Sequence, residues 1–364
     1  MRGPKVFISP AVDNLAANDY VAHFFNIMNE KAVVLNYGTR KRSRSADMVK
    51  SFSADIMFLH WPEDFGVLAM GYLQAVVAMV TVLAFKMKGG HVVWFCHNKA
   101  SHHSERRWVG RILRSFYKTF ADTIIVHSGD ALEHFKGKKN VFHLAHPAYI
   151  SIETGNKENN FPRHDALIWG NLYPYKGLDR FIDSYKASRQ TFSVLMIGKG
   201  KEDYCQYLAE KAKGTNITIQ NKFLSDADLE QCFDHSKFIL LPYLPSETFC
   251  SGALIHSLNS NKIVIGPNLG NFIDVSKEGG CMVYNDFNDL FETVNKLKND
   301  RQLYNDTLTS LQNGIVRYRE RNTWTRFADD LLNVVYRNRK KPAFNQEPTR
   351  PEWRFEDQVE EQVI

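Results

Sequence analysis

Short apolar runs alternate with helix-period segments along most of this 364-residue chain, and they do so in two series. The first series places strands at Lys5–Pro10, Ala32–Tyr37, Ala54–Trp61, His91–His97, Asp122–Ser128 and Val141–His146. The second places them at Asp165–Asn171, Phe192–Gly200, Ile217–Phe223, Phe238–Tyr243, Lys262–Pro267 and Cys281–Asn285. Strands that alternate with helices pair in parallel, and a parallel sheet needs helices on both faces. Between the series lies Glu153–Arg163, ETGNKENNFPR, which is polar, lacks apolar periodicity and reads as a linker. The pattern predicts an α/β chain of two Rossmann-like domains, residues 1–160 and 161–320. A helix at 321–339 is expected to return toward the N-terminal domain, and the Pro- and charge-rich stretch 340–364 is read as a flexible tail. Ligands of such sheets bind beyond the carboxyl ends of the strands, so the site is expected in a cleft between the domains.

Composition narrows the function classes. The five cysteines are scattered without CxxC spacing, which points away from a disulfide framework or a zinc site and toward a reducing, cytoplasmic compartment. The opening MRGPKVFISP enters a strand directly rather than a signal-peptide core. Net charge is a modest +6. The basic residues lack interleaved aromatics or a groove-binding motif, so nucleic acid is not an expected partner.

The segment Phe238–Gly270, FILLPYLPSETFCSGALIHSLNSNKIVIGPNLG, carries the most chemistry. An apolar strand is followed by a loop with one carboxylate, Glu247, and then by Ser251-Gly252 where a helix should begin. Free amides and close backbone approach at a helix start suit a phosphate, and the helix dipole adds partial positive charge.

Ala166–Leu178, ALIWGNLYPYKGL, resembles the opening of the C-terminal domain of glycosyltransferase family 4, enzymes of the GT-B fold. Leu195–Gly200, LMIGKG, is similar to that family's second strand and Gly turn, and 238–270 falls where the family carries its donor loop. The resemblance covers roughly residues 160–337 well and the N-terminal half more loosely. It implies two Rossmann-like domains, a nucleotide-sugar donor linked to UDP or GDP, and no metal or other cofactor. Carried across, Lys176 matches the lysine on the donor diphosphate, where it would stabilise the departing nucleotide. Glu247 matches a glutamate that touches the donor sugar, Ser251, Gly252 and Ala253 match the phosphate-holding stretch, and Gly170, Asn171 and Gly198 fall in the donor-side turns. Two positions depart from the pattern. A second glutamate would fall at Ile255, and the arginine five positions before the lysine is Asn171. The segment SGAL, with its helix and VIGPNLG, resembles a branch in which the second acid is missing.

The N-terminal domain is expected to hold the acceptor. His97, at the end of a strand, matches a histidine that faces the reacting sugar and is taken with Lys176 and Glu247 as the catalytic set. His60 and Trp61 end another strand at the cleft mouth, and Asp13, Asn14 or Asp19 follow the first. His102, His103 and Glu105 are not read as metal ligands. Gly66–Phe85 has 20 uncharged residues, long enough to cross a bilayer, yet its place between two strands of one sheet demands a crossover helix. In Glu105–Phe120, Trp108, Val109, Ile112, Leu113, Phe116 and Phe120 form an apolar face. Arg107, Arg111, Arg114 and Lys118 lie on a separate stripe, which suits an anionic membrane surface. With Arg40, Lys41, Arg42 and Arg44 nearby in sequence, the N-terminal domain is expected on the cytoplasmic face of a membrane.

The expected activity is transfer of a sugar, with retained configuration, from a nucleotide diphosphate to a glycan or lipid-linked glycan in surface polysaccharide or glycoconjugate synthesis. The alternatives are a GT-B sugar-nucleotide epimerase and a degenerate member that only binds glycans or partners.

Overall fold

The computed structural model describes residues 3–11, 19–38, 48–67, 70–99, 107–149, 163–244 and 249–339. Of the segments above, Asp13, Asn14, Arg40–Arg44, His102, His103, Glu105, Glu247, most of the linker and the tail lie outside them.

Each of the twelve predicted strands falls on an observed one. The first sheet consists of β1 (Lys5–Ser9), β2 (Val33–Val34), β3 (Ile56–His60), β4 (His91–Phe95), β5 (Thr123–Val126) and β6 (Val141–His143). Their order is β2-β1-β3-β4-β5-β6, with every pairing parallel. The second holds β7 (His164–Trp169), β8 (Val194–Gly198), β9 (Ile217–Asn221), β10 (Ser236–Leu240), β11 (Ile263–Pro267) and β12 (Met282–Tyr284). Its order is β12-β11-β10-β7-β8-β9, again parallel throughout. Strands such as IMFLH and HVVWF are buried along their whole length. That is why they read as continuous apolar runs rather than alternating ones. Apolar clusters line both faces of each sheet.

In the second sheet β7 and β10 are neighbours, and the chain runs outward from them in opposite directions. This switch point opens a crevice at the carboxyl ends of the two strands, and it sets the location of the site.

The helix that crosses from β3 to β4 is shorter than the uncharged stretch Gly66–Phe85 suggests and is shifted toward β4. Residues 62–67 form a 3₁₀ turn, and the helix spans Gly71–Met87, 17 residues. Ala75, Ala78, Val82 and Phe85 bury one face of it on the sheet. No helix among the described residues is long and apolar enough to cross a membrane.

The two sheets are tied together in two places. At one rim Asp130 accepts the Gly270 amide at 3.3 Å, while Asp274 accepts the Gly129 amide at 2.9 Å, so each domain's carboxylate meets a helix start of the other. On the other side the helix Trp324–Arg339 crosses to the N-terminal sheet. Trp324, Phe327, Leu331 and Val335, at helical spacing, join a cluster with Phe24, Phe58 and Ile8. Lys31 pairs with Asp329 at 2.7 Å beside it.

Candidate functional site

A cavity of about 360 Å³ lies at the carboxyl ends of β7 and β10. Trp169, Gly170, Asn171, Tyr175 and Lys176 line it from the turn after β7. Tyr243, Cys250 to Ala253 and His256 line it from the loop and helix after β10, and Asp19, Asn98 and Tyr149 close it from the other side.

Lys176 ends a short turn, Pro174–Lys176, and is only 6% exposed. Its ammonium lies 3.4 Å from the Trp169 carbonyl and 5.6 Å from the centre of the Tyr243 ring. Among the described residues no carboxylate pairs with it, and burial lowers its pKa to about 8. Gly170 makes room for this side chain: a Cβ there would sit 2.9 Å from the ammonium, and its φ of +91° suits glycine. Gly198 does not line the cavity. It lies beneath, where a Cβ would meet the Gly170 carbonyl at 1.9 Å, so the second sheet's Gly turn supports the first.

The expected helix start is present. Ser251 caps Gly252–Ser257, its hydroxyl accepting the Leu254 amide at 3.1 Å. The amides left free at this helix start are those of Gly252 and Ala253 rather than that of Ser251. The Ser251 N–H donates to Asn271 Oδ1 at 2.9 Å, while Gly252 and Ala253 occupy the first turn, whose N–H groups have no acceptor within the helix. Helical geometry also explains the departure at Ile255. That side chain is 1% exposed and turned into the core with Leu254 and Leu258, whereas His256 shares the cavity face with Gly252 and Ala253. The His256 ring packs against Tyr149 at 5.6 Å and Trp169 at 5.3 Å, and burial lowers its pKa.

The N-terminal candidates separate. His97 does not reach the cavity; the neighbouring Asn98 does. His97 stacks on Trp61 with ring centres 4.2 Å apart, and its Nε2 lies 3.1 Å from His60 Nδ1. His60, His97, His127 and His146 surround the ring of Tyr20 at 5.0 to 5.5 Å. His127 donates from Nδ1 to the Leu144 carbonyl, which leaves Nε2 to accept from the Tyr20 hydroxyl. Burial holds all four imidazoles neutral. His97 stands two residues beyond the end of β4 and enters this structure as part of a buried ring cluster, itself 5% exposed.

The basic stripe also divides. Arg107 opens the helix Arg107–Phe120, and Arg111 and Trp108 are exposed on it. Arg114 instead faces inward, donating to the Asn98 carbonyl and to Cys96 Sγ and lying 5.9 Å from the Phe249 ring. It braces the strand end that lines the cavity and is not a surface charge. Cys96, Cys205, Cys232 and Cys281 are buried and Cys250 is half-buried, all unpaired. Among the described residues no three metal-ligating side chains come together.

Asp19, which opens the helix Asp19–Lys31, reaches the cavity, as the sequence allowed. Tyr149, Trp169, Tyr175, Tyr243 and His256 were not singled out in the sequence. For His256 a signal existed, the i+4 spacing from Gly252. For Tyr149 there was none, since it follows the sixth strand and enters from the other domain. A buried cation and helix-start amides suit an anion, and the aromatic walls suit a planar or ring-bearing ligand.

Residues 153–309 match the family model described as glycosyl transferases group 1. No curated protein matches the chain in sequence. HepE of Anabaena, solved in complex with UDP and glucose, superposes with a TM-score of 0.64 at 13% identity, over 92% of this chain and 100% of that one. Sucrose-phosphate synthase from Thermosynechococcus elongatus gives 0.62 at 12% identity, over 92% and 98%. A TarM variant from S. aureus, solved with Fondaparinux, alpha-GlcNAc-glycerol and UDP, gives 0.57 at 15%, over 84% of this chain and 62% of that one. The fold is GT-B, and together with the family match it supports a glycosyltransferase.

Proposed function

We propose that this chain transfers a sugar from a nucleotide diphosphate, UDP- or GDP-linked, to a hydroxyl of a glycan or lipid-linked glycan, with retained configuration, in surface polysaccharide or glycoconjugate synthesis. One observation carries the reading: a buried lysine at the cavity wall, without a carboxylate partner among the described residues, beside the first amides of the Gly252–Ser257 helix. A neutral ligand gains nothing from that cation, whereas a diphosphate supplies the charge that burial denies it. The departing nucleotide diphosphate gains charge as the glycosidic bond breaks, so Lys176 and the Gly252 and Ala253 amides would act on the transition state more than on the ground state.

Around this anchor we assign Trp169, Tyr175, Tyr243 and His256 to the donor side, and Asp19, Asn98 and Tyr149 to the side from which the acceptor hydroxyl enters. HepE and TarM, solved with UDP, support a uridine donor first. No metal is required by this reading, since the lysine and the amides supply the positive charge. A thermal-shift screen of nucleotide sugars tests it. The expected result is selective stabilisation by one UDP- or GDP-sugar, lost in Lys176→Ala. Stabilisation by none, or full retention by that variant, removes the phosphate assignment. Incubation of the selected donor without acceptor separates transfer from epimerisation, because only an epimerase converts the donor alone into an isomer.

A further inference from the structure

We propose that the chain docks on the anionic surface of a lipid bilayer through the outer faces of the helices Gly71–Met87 and Arg107–Phe120.

The first helix covers the sheet with one face and leaves the opposite face apolar. Leu73, Val76, Val80, Leu83 and Met87 recur at three- and four-residue spacing, so they form one stripe. All five are exposed, Val80 by 59% and Met87 by 83%. Over 14 residue steps the stripe runs about 20 Å. Scattered apolar residues on a surface need no explanation, but an unbroken row of this length does. The helix Arg107–Phe120 packs alongside and extends the patch with Trp108 and Ile112, both about half exposed. Tyr72 joins the two, its ring 5.4 Å from that of Trp108.

Charge selects the occupant. Neither helix contains an acidic residue. Among the cations whose side chains are described, Lys86 is paired with Asp122, Arg114 is turned inward and half-buried Lys118 lies over the Phe135 ring. That leaves Arg111 beside Trp108, and Lys88 just past the end of the first helix, as exposed positive groups at opposite ends of the patch. A second copy of the chain would set these like charges against each other. An anionic headgroup layer neutralises them while the stripe enters the acyl boundary and the Tyr72–Trp108 pair takes interfacial depth. With no spanning helix among the described residues, the chain lies on the bilayer through this face.

Topology then fixes the orientation. Both helices begin beyond the carboxyl ends of their preceding strands, β3 and β4, so the aromatic pair lies at the cleft end of the N-terminal domain and Met87 at the far end. Docking brings the cleft mouth to the lipid surface, where a lipid-linked acceptor would be presented. That last step rests on the acceptor proposed above; the docking does not.

Co-sedimentation of the full chain with vesicles tests the proposal. Vesicles of phosphatidylglycerol and phosphatidylcholine should retain the chain at low salt, release it as salt rises, and exceed pure phosphatidylcholine by about tenfold or more. Val76→Asp combined with Val80→Asp should remove at least about tenfold of that binding while the donor-induced thermal shift is kept. If that double variant does not fold, Arg111→Glu should still weaken retention at low salt and make its remaining loss with salt shallower. Absence of retention on anionic vesicles at low salt overturns the proposal, as does undiminished retention by the double variant. A dimer in sedimentation velocity that the double variant dissociates, without vesicle binding, assigns the face to a second copy and overturns it as well. Failure of the nucleotide-sugar screen with vesicle binding intact removes the donor reading and leaves this one standing.

Discussion

A lysine in the protein interior is costly unless something compensates its charge, and Lys176 has only a carbonyl and an aromatic face among the described residues. Its pKa, lowered from 10.5 to about 8, measures that cost in the free protein. The folded chain therefore holds this proton less tightly than the unfolded one. Stability should be depressed below pH 8 and recover as pH rises toward 10.5. Replacing the charge at constant shape makes the trade visible: Lys176→Met should raise the stability of the free protein at pH 7 by roughly 1–3 kcal/mol and lose the stabilisation by a nucleotide sugar. Thermal melts with and without donor read both effects, and a variant less stable than the parent would contradict the account. The donor itself should bind more weakly as pH rises through about 8, where the cation of the free protein is lost. Lys176 was legible in the sequence because it stands in a strand, turn and Lys-Gly of recognisable order. His256 was marked only by its spacing from Gly252, because its importance depends on which face of a six-residue helix meets the core, and the burial of Ile255 settles that.

The strand ends and the turns beyond them do for the cavity what single residues cannot. The turn after β7 is held by the turn after β8, since no side chain fits between Gly198 and the Gly170 carbonyl. Gly198→Ala should push the Gly170–Lys176 turn out of place and abolish donor-induced stabilisation; a donor-bound melt like the parent's would show the contact to be dispensable. The loop before Gly252–Ser257 is held from below by Asn271, which accepts the Ser251 amide and returns a bond to the Ser251 carbonyl at 3.4 Å. Asn271→Ala leaves that buried amide unpaired, with an expected cost of about 1–3 kcal/mol in the denaturant midpoint and a raised KM for the donor. The strands themselves were read from their apolar runs, because burial on both faces is a property of the local sequence. The way Gly198 serves Gly170 was not, because it depends on how two adjacent strand ends meet across a sheet. The basic helix shows the same limit: four cations at helical spacing read as one stripe, yet Arg114 turns inward to the Asn98 carbonyl, which the segment beyond β4 supplies.

At the scale of the whole molecule, the two sheets share a boundary that no local pattern describes. The helix Trp324–Arg339 closes the face of the N-terminal sheet where Tyr20 and four neutral histidines meet, and Trp324 itself stacks on His23 at 5.3 Å. The sequence marks His60 and His97 as strand ends but does not show that His127, His146 and a helix some two hundred residues later converge on the same ring. This convergence should make the fold acid-sensitive. Burial lowers His60 to about 3 and His146 to about 4, and holds His97 and His127 well below the usual range, each imidazole also penalised by, or penalising, its neighbours. In the unfolded chain the same groups take up protons near pH 6.5. As pH falls from about 6.5 toward 4, the unfolded state binds protons that the folded state refuses, so each histidine adds a slope of up to about 1.4 kcal/mol per pH unit against folding. Above pH 6.5 the cluster contributes no dependence, which separates it from the alkaline effect of Lys176. His60→Phe keeps the stacking on Phe95, 4.2 Å away, and removes a ring whose Nε2 has no partner among the described residues, at the loss of the Nδ1 contact with His97, so it should flatten the acid limb by about one histidine's share. Urea unfolding at pH 7.5, 6.0 and 5.0 (roughly one step above and two within the window) measures that limb in both proteins. A parent stability that is level across these conditions, or a variant with the same steepness, would mean that the histidines already carry their protons in the folded state and that the cleft-side wall of the N-terminal domain is charged rather than neutral.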